Sequence, residues 1–314
     1  MLDKLRELYE VKLAPDLKVL EKKRLSLLGV CISLSIVFVT ILLLGIAIQV
    51  MPVLIAGAAG LIVMVIVLHI RLSRFNRDYK KLVMNRLLEH WGPGFRYDPK
   101  DGIPKKEFNA SKLFSIQPNI YKTEDLVWGR VGATDIRFAE IRASHQTSNG
   151  KSTTVIKVFS GIYFEADFHK EFSSSTWVLP DHAERMLGPF LGKLIQRASF
   201  SRPGHLTTME NSEFENMFVV YTTDEVECRY ILSPSLMERM VDLGLRQKEE
   251  LSFAFIDSRM IIALSSSENA FEPPRSGFGN YLNFDKVLAH YMRLKQLMQI
   301  VDDLNMNTRI WTKR

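Results

Sequence analysis

The chain has little cysteine and none of the spacings that mark a metal or redox centre. Only Cys31 and Cys228 occur in 314 residues, with no C-x-x-C pair, so no disulfide framework is implied and a reducing compartment fits. The seven histidines (His69, His90, His145, His169, His182, His205 and His290) are scattered, and no H-E-x-x-H joins any two. The nearest approach, Asp181-His182-Ala183-Glu184, reads as a helix start whose acids face the positive end of the dipole. Phosphate-cradling loops are missing too. Gly129-Arg130-Val131-Gly132 lacks the Lys-Ser/Thr of a P-loop and the third glycine of a dinucleotide turn, and reads as a strand turn. There is no G-x-S-x-G elbow, and the serine clusters at 173–175 and 265–267 fall where loops are expected. Cys228 alternates with apolar neighbours and reads as a buried, inert thiol. No catalytic residue, cofactor or metal ligand set is indicated.

The largest absence is of charge. Residues 25–70 contain no Asp, Glu, Lys or Arg. Residues 25–50 and 53–70 form two apolar runs broken only around Gln49 and Pro52, each about the 20 residues needed to cross 30 Å of hydrocarbon. A transmembrane helical hairpin is expected, with His69 at its interface. A cleavable signal peptide would begin its apolar core near the N-terminus, whereas two dozen mixed residues precede this one. A channel or transporter is disfavoured because neither run carries an ionisable group able to line a polar path, which leaves oligomerisation as its only route. Gly29, Gly45, Gly57, Ala58, Ala59 and Gly60 allow close helix approach, within the hairpin or in a homo-oligomer.

Charge returns at both ends of the hairpin. Lys22, Lys23 and Arg24 precede it, and Arg71, Arg74, Arg77, Lys80 and Lys81 follow it, while the connecting turn carries none. By the positive-inside rule both termini are cytoplasmic. The net charge of +6 is juxtamembrane: residues 1–24 hold seven basic and five acidic groups, residues 71–112 eleven and five, and the rest twenty-three and twenty-five. These eight basic residues are therefore expected at the membrane interface, against anionic lipid headgroups. A nucleic-acid partner, which would need the excess on the globular part, is not expected.

Along the chain, residues 2–24 show the three-four spacing of an amphipathic helix, interrupted or kinked at Pro15. A helix continues from the second run to Trp91-Gly92-Pro93-Gly94. Residues 95–120, with Pro99, Gly102, Pro104 and Pro118, read as a linker or an irregular edge, and the ordered domain as starting near Tyr121. Strand-like stretches at 126–128 and 136–143, with a bulge between Phe138 and Ile141, pair with a run at 153–168 across Ser148-Asn149-Gly150. A short helix follows from Asp181 through Ile195, opened by Asp181 and Glu184. Next come two strand pairs, 217–221 with 226–232 and 251–256 with 260–264, the first followed by a helix opened by Ser233-Pro234. A C-terminal helix spans 284–305. The strand-turn-strand-helix order at 217–245 and 251–305 hints at a duplicated unit. The fold class expected is α+β: a transmembrane hairpin, then an antiparallel-sheet cytoplasmic domain with packed helices, divided as 1–24, 25–70, 71–120 and 121–314.

Two polar sets stand out as candidate partner-binding residues. Asp224 and Glu225, with Glu227 and Arg229, cluster at one turn and would also serve as an exposed cross-strand ion-pair face. Glu272, Pro273 and Pro274, with Arg275, form a stiff extended segment that could dock a partner or simply carry the chain to the last helix.

Gly161-Ile162-Tyr163-Phe164-Glu165-Ala166-Asp167-Phe168, Val220-Tyr221, Arg229 to Pro234, Met237-Glu238-Arg239, Phe271 to Pro274 and Asn307 to Trp311 together resemble the bacterial domain of unknown function 3137 family, over nearly the whole chain. The resemblance implies a two-span protein of the bacterial inner membrane, assigns no catalytic residue, and suggests a LemA-family membrane protein as a partner. The function expected is a non-enzymatic, membrane-anchored interaction module that scaffolds or regulates a membrane assembly through a protein partner. The alternative is a tethered hydrolase or transferase acting on lipid or peptide, using His169, His182 or the acidic turn at Asp224.

Overall fold

The computed structural model describes residues 2–148, 150, 152–181, 203–247, 249–267, 269–274 and 279–306. The helix expected after Asp181, with His182, and also Asn149, Arg275 and the motif from Asn307 to Trp311 lie outside the described residues. The chain divides into two compact units, Met1–His90 with Phe271–Met292, and Trp91–Ala270 with Arg293–Arg314.

In the first unit, α1 (Leu2–Leu8), a π-helical turn (Tyr9–Leu13) and α2 (Ala14–Ile48) follow one another without a break. Proline lacks an N–H and crowds the carbonyl four residues back. The widened turn falls just before Pro15, so the helix runs on where the sequence suggests an interruption. Gln49, in the left-handed region at φ 54°, stops α2, and the Val50 N–H returns to the Gly45 carbonyl at 3.2 Å. Then α3 (Met51–Leu88) begins with Pro52 in its first turn. The two helices meet at small residues. A Cβ on Gly57 would come 2.9 Å from the Leu42 nitrogen and one on Gly60 2.2 Å from the Phe38 ring, whereas Gly29 has open space. Hairpin packing therefore accounts for Gly45, Gly57 and Gly60.

The second unit is built on a nine-stranded, wholly antiparallel sheet in the order β1-β2-β3-β4-β9-β8-β5-β7-β6. Its strands are β1 (Arg96–Asp98), β2 (Ile120–Val131), β3 (Thr134–Ser148), β4 (Thr153–Asp167), β5 (Thr176–Pro180), β6 (His205–Thr207), β7 (Phe218–Thr222), β8 (Glu250–Ile256) and β9 (Arg259–Ser265). The helices are α4 (Lys105–Ala110), α5 (Ser212–Met217), α6 (Glu225–Ile231), α7 (Pro234–Arg246) and α8 (Phe284–Asp303), the last contributing residues to each unit. The molecule is α+β: two long apolar helices, then an antiparallel sheet with helices.

Three readings of the sequence are corrected. Residues 95–120 are not a linker. They hold β1, paired to β2, and α4, whose Phe108 is buried among Phe114, Tyr121, Phe159 and Tyr163 with ring centroids 5.0–6.1 Å away. The extra residue of the bulge expected between Phe138 and Ile141 is on β2 and not on β3: Glu124 and Val127 face Glu140 and Phe138, while Phe138 to Ile141 pair in unbroken register with Phe164 to Gly161 of β4. The alternation fails there because Phe138, Ala139, Glu140 and Ile141 are all buried, on both sheet faces. The irregularities lie between Glu124 and Val127 and between Ala143 and Ser144. Finally, residues 226–232 are not a strand but lie largely in the helix α6.

The hairpin at Asp257-Ser258 and the pairing of Ser148 with Thr153 agree with expectation, whereas the turn expected over Gly129–Gly132 falls at Gly132-Ala133, because Gly129, Arg130 and Val131 belong to β2. Gly161 sits opposite Ser265 at φ 150°, where a Cβ would lie 2.0 Å from the Leu264 carbonyl oxygen. One face of the sheet carries Ala139, Ile141, Tyr163, Trp177, Leu179, Ala254 and Ala263 in a single cluster with Ile103, Phe108 and Leu113. Residues of opposite parity, among them Val178, Phe253, Phe255, Ile262 and Leu264, are equally buried, so the centre of the sheet has no wet face.

Candidate functional site

The eight basic residues flanking the apolar runs do not share one environment. Lys22, Lys23, Arg71, Arg74 and Lys81 are exposed and Arg77 is half-buried. Arg24 is buried: it grips Glu21 through Nε and Nη2 at 2.9 and 2.7 Å and stacks over Tyr281, 4.8 Å from the ring centroid. Lys80 is buried against Glu272 at 3.0 Å. Both point into the unit because a three-four stripe carries basic as well as apolar positions toward the packed side, where a buried cation needs a partner. The segment read as a docking strip is itself enclosed. Pro273 and Pro274 are buried, and the Glu272 carbonyl accepts from His290 Nε2 at 3.2 Å. Burial pushes the His290 imidazole down to about 4, which keeps it neutral.

Asp224 and Glu225 are exposed, but they begin a helix rather than line a strand. The Asp224 carboxylate accepts from the Glu227 N–H at 2.9 Å as N-cap, and Glu225 pairs with His205 and Arg229 at 3.2 and 3.3 Å. Glu227 turns back to accept from the Ser173 and Ser174 N–H groups at 3.0 and 2.7 Å, bonds that hold its carboxyl below the usual range. Cys228 is fully buried on α6 and burial pushes its thiol up, away from a reactive thiolate. His169, with φ 56°, contacts Asp167 at 3.1 Å and Thr134 at 3.3 Å.

None of the candidate site residues read from the sequence lines a groove of about 760 Å³ in the sheet unit. Register places Arg137 of β3 opposite Glu165 of β4, and Arg137 bonds Glu165 at 2.5 Å as well as Glu107 from α4. Burial raises the Glu165 carboxyl while Arg137 works against that rise. Arg130 and Asp135 form a bidentate pair at 2.7 and 2.8 Å at the mouth. With Arg259, Asp167 and Asp257 added, the wall carries both signs of charge in near balance. It offers paired ions and no activated nucleophile. The signal available was Glu165 itself, an acid directly after the apolar run Ile162-Tyr163-Phe164 of β4.

A second cluster, Glu124, Asp125 and Glu140, brings three carboxylates within 4.8 Å of one another, a spacing that could hold a cation. Their oxygens already have protein partners: Asp125 accepts from Tyr97 Oη at 2.5 Å, Glu140 from the Ala270 N–H at 2.6 Å, and Glu124 from Lys122 at 3.0 Å. Asp125 occupies the irregularity in β2 at φ 62°.

Compared with known proteins, residues 157–306 match a family model described as protein of unknown function (DUF3137), the family that the motifs resemble. The match leaves out the hairpin and the motif from Asn307 to Trp311. No curated protein matches. Among solved structures, the crystal structure of the mycobacterial trehalose monomycolate transport factor A, TtfA, aligns at 10% identity with a TM-score of 0.29, covering 71% of this chain and 96% of that one. A likeness at that score carries no argument about fold or activity.

Proposed function

We propose that this chain of the DUF3137 family is a membrane-anchored protein whose sheet unit serves as a non-enzymatic interaction module, scaffolding or regulating an assembly at the cytoplasmic face of a bacterial inner membrane. The observation that carries the reading is the surface of the hairpin. Its two helices are long and apolar enough to cross a membrane, and Ile32, Ile36, Leu43, Ile55, Ile62 and Val65 are 59–65% exposed. An apolar surface of that extent suits lipid rather than water. The exposed cations Lys22, Lys23, Arg71, Arg74 and Lys81 support cytoplasmic termini and contact with anionic headgroups. A protein partner, a LemA-family protein among the candidates, would meet the sheet unit, where the Asp224–Glu225 helix start is an exposed acidic feature. The charge-balanced groove and the buried Cys228 favour binding over catalysis.

Two measurements test this. Resistance to carbonate extraction, with reporter fusions placing both ends on the cytoplasmic side, is the expected outcome; release by carbonate would remove the anchor and the reading with it. Full-length protein recovered from crosslinked native membranes should retain the same partner in repeated purifications. The partner should be lost on D224K/E225K substitution.

A further inference from the structure

A second cavity of the sheet unit, about 450 Å³, differs from the groove in its charge. Lys170 enters it from the segment after β4, Arg229 and Tyr230 from the last turn of α6, and Ser233, Ser235 and Arg239 from the start of α7. Among the described residues three cations line it and no carboxylate does, whereas the groove sets Asp135, Glu165, Asp167 and Asp257 against its arginines. Nearby acids are directed to other contacts: Glu225 takes Arg229 from the flank at 3.3 Å, and the Asp303 carboxylate pairs with Arg246 at 3.2 Å.

The donors outnumber their acceptors. Arg239 Nη1 donates to the Asp303 carbonyl at 3.2 Å, but its Nε is buried without an acceptor among the described residues, a condition folded proteins seldom leave uncompensated. Ser233 stands at the N-cap of the thirteen-residue α7 and makes no side-chain cap bond. Its hydroxyl and that of Ser235, with the Ser235 N–H, add neutral donors where the helix dipole is positive, whereas Pro234 has no N–H and the Leu236 and Met237 N–H groups donate to the Ser233 carbonyl at 2.9 and 3.0 Å. The Lys170 ammonium is held in place by the Tyr230 carbonyl at 2.8 Å and lies 4.8 Å from the Tyr230 ring centroid.

We propose that this cavity binds a phosphate monoester. A tetrahedral dianion presents three acceptor oxygens and up to two charges to several charge-assisted donors at once, one oxygen and one charge more than a carboxylate. The volume exceeds that of phosphate alone and falls within the range of small-ligand sites, with Tyr230 and Leu236 as wall for an organic substituent. A lipid headgroup and a soluble phosphate ester share this chemistry. The assignment does not depend on the membrane reading, since every residue belongs to the sheet unit.

Full-length protein in phosphatidylcholine nanodiscs, titrated with glycerol 3-phosphate and compared with nanodiscs containing phosphatidic acid, tests it. Saturable binding of either probe is expected, weakened about tenfold, or ~1.4 kcal/mol, in R229Q and in R239Q, and unchanged in R130Q of the groove. Arg229 is half exposed, so R229Q should fold even if R239Q does not. Binding of glycerol 3-phosphate identifies a soluble ester, and binding of phosphatidic acid alone a headgroup. Failure of both probes, unchanged affinity in R229Q, or equal weakening in R130Q would overturn the proposal.

Discussion

Buried polar side chains carry the sharpest expectations at the scale of single residues. His290 is neutral and 2% exposed, with Lys80 and Lys286 opposing its charge and the Glu272 carbonyl favouring it. Its folded pKa of about 4 lies below the unfolded value of 6.5, so as pH falls below 6.5 the unfolded state takes the proton first. Stability is complete above 6.5 and declines toward 4, by about 3 kcal/mol from this group. The ring should titrate near 4 by NMR, and H290Q should flatten the acid limb of the stability profile; a ring pKa near 6.5 would contradict the burial. Asp224 offers a second test. Removing its cap to the Glu227 N–H in D224A should cost about 1 kcal/mol, seen as a lower melting temperature. The cap was legible, since Asp224 precedes Glu227 by three positions, but the Val226, Cys228, Tyr230 alternation outweighed it. In a helix those residues divide differently: Cys228 and Ile231 are buried, and Val226 is 80% exposed.

Among elements, the long apolar helices were the easiest to read, because an uncharged run has one economical conformation in a membrane, with every backbone group bonded internally. The side toward which each flanking cation turns was not readable. Arg24 and Lys80 face inward to Glu21 and Glu272, while Lys22, Lys23, Arg71, Arg74 and Lys81 remain exposed. Changing those five to Gln should weaken association with phosphatidylglycerol-containing vesicles relative to phosphatidylcholine, by roughly 1 kcal/mol for each residue that touches the surface, without altering the fold. A matching R24Q change should instead lower stability, because it leaves Glu21 buried and unpaired. Within the hairpin, Gly57 has no room for a larger side chain against Leu42. G57L should separate the helices, read as lost crosslinking between cysteines placed at 35 and 64, where the Ser35 hydroxyl meets the Met64 sulfur at 2.9 Å.

For the whole molecule, the expected core lies at the middle of the sheet, where Phe253, Phe255 and Ile262 are fully buried. F253A should cost about 3–5 kcal/mol in chemical unfolding, far more than truncating exposed Val226. By itself the sequence determined the α+β class, the two apolar helices, the hairpins β2–β3, β3–β4 and β8–β9 and the last helix, because those follow from local periodicity, charge and turn chemistry. Tertiary structure alone decided the strand order, including the placement of β5 between β8 and β7, and the recruitment of residues 95–120 into the core. It also brought together Arg137 with Glu107 and Glu165, and Lys170 with Arg229 and Arg239. Such contacts join positions 28 to 69 residues apart, and no local pattern encodes them. They are selected by which buried faces and charges can be satisfied at once, and that is settled only when the sheet closes over its core.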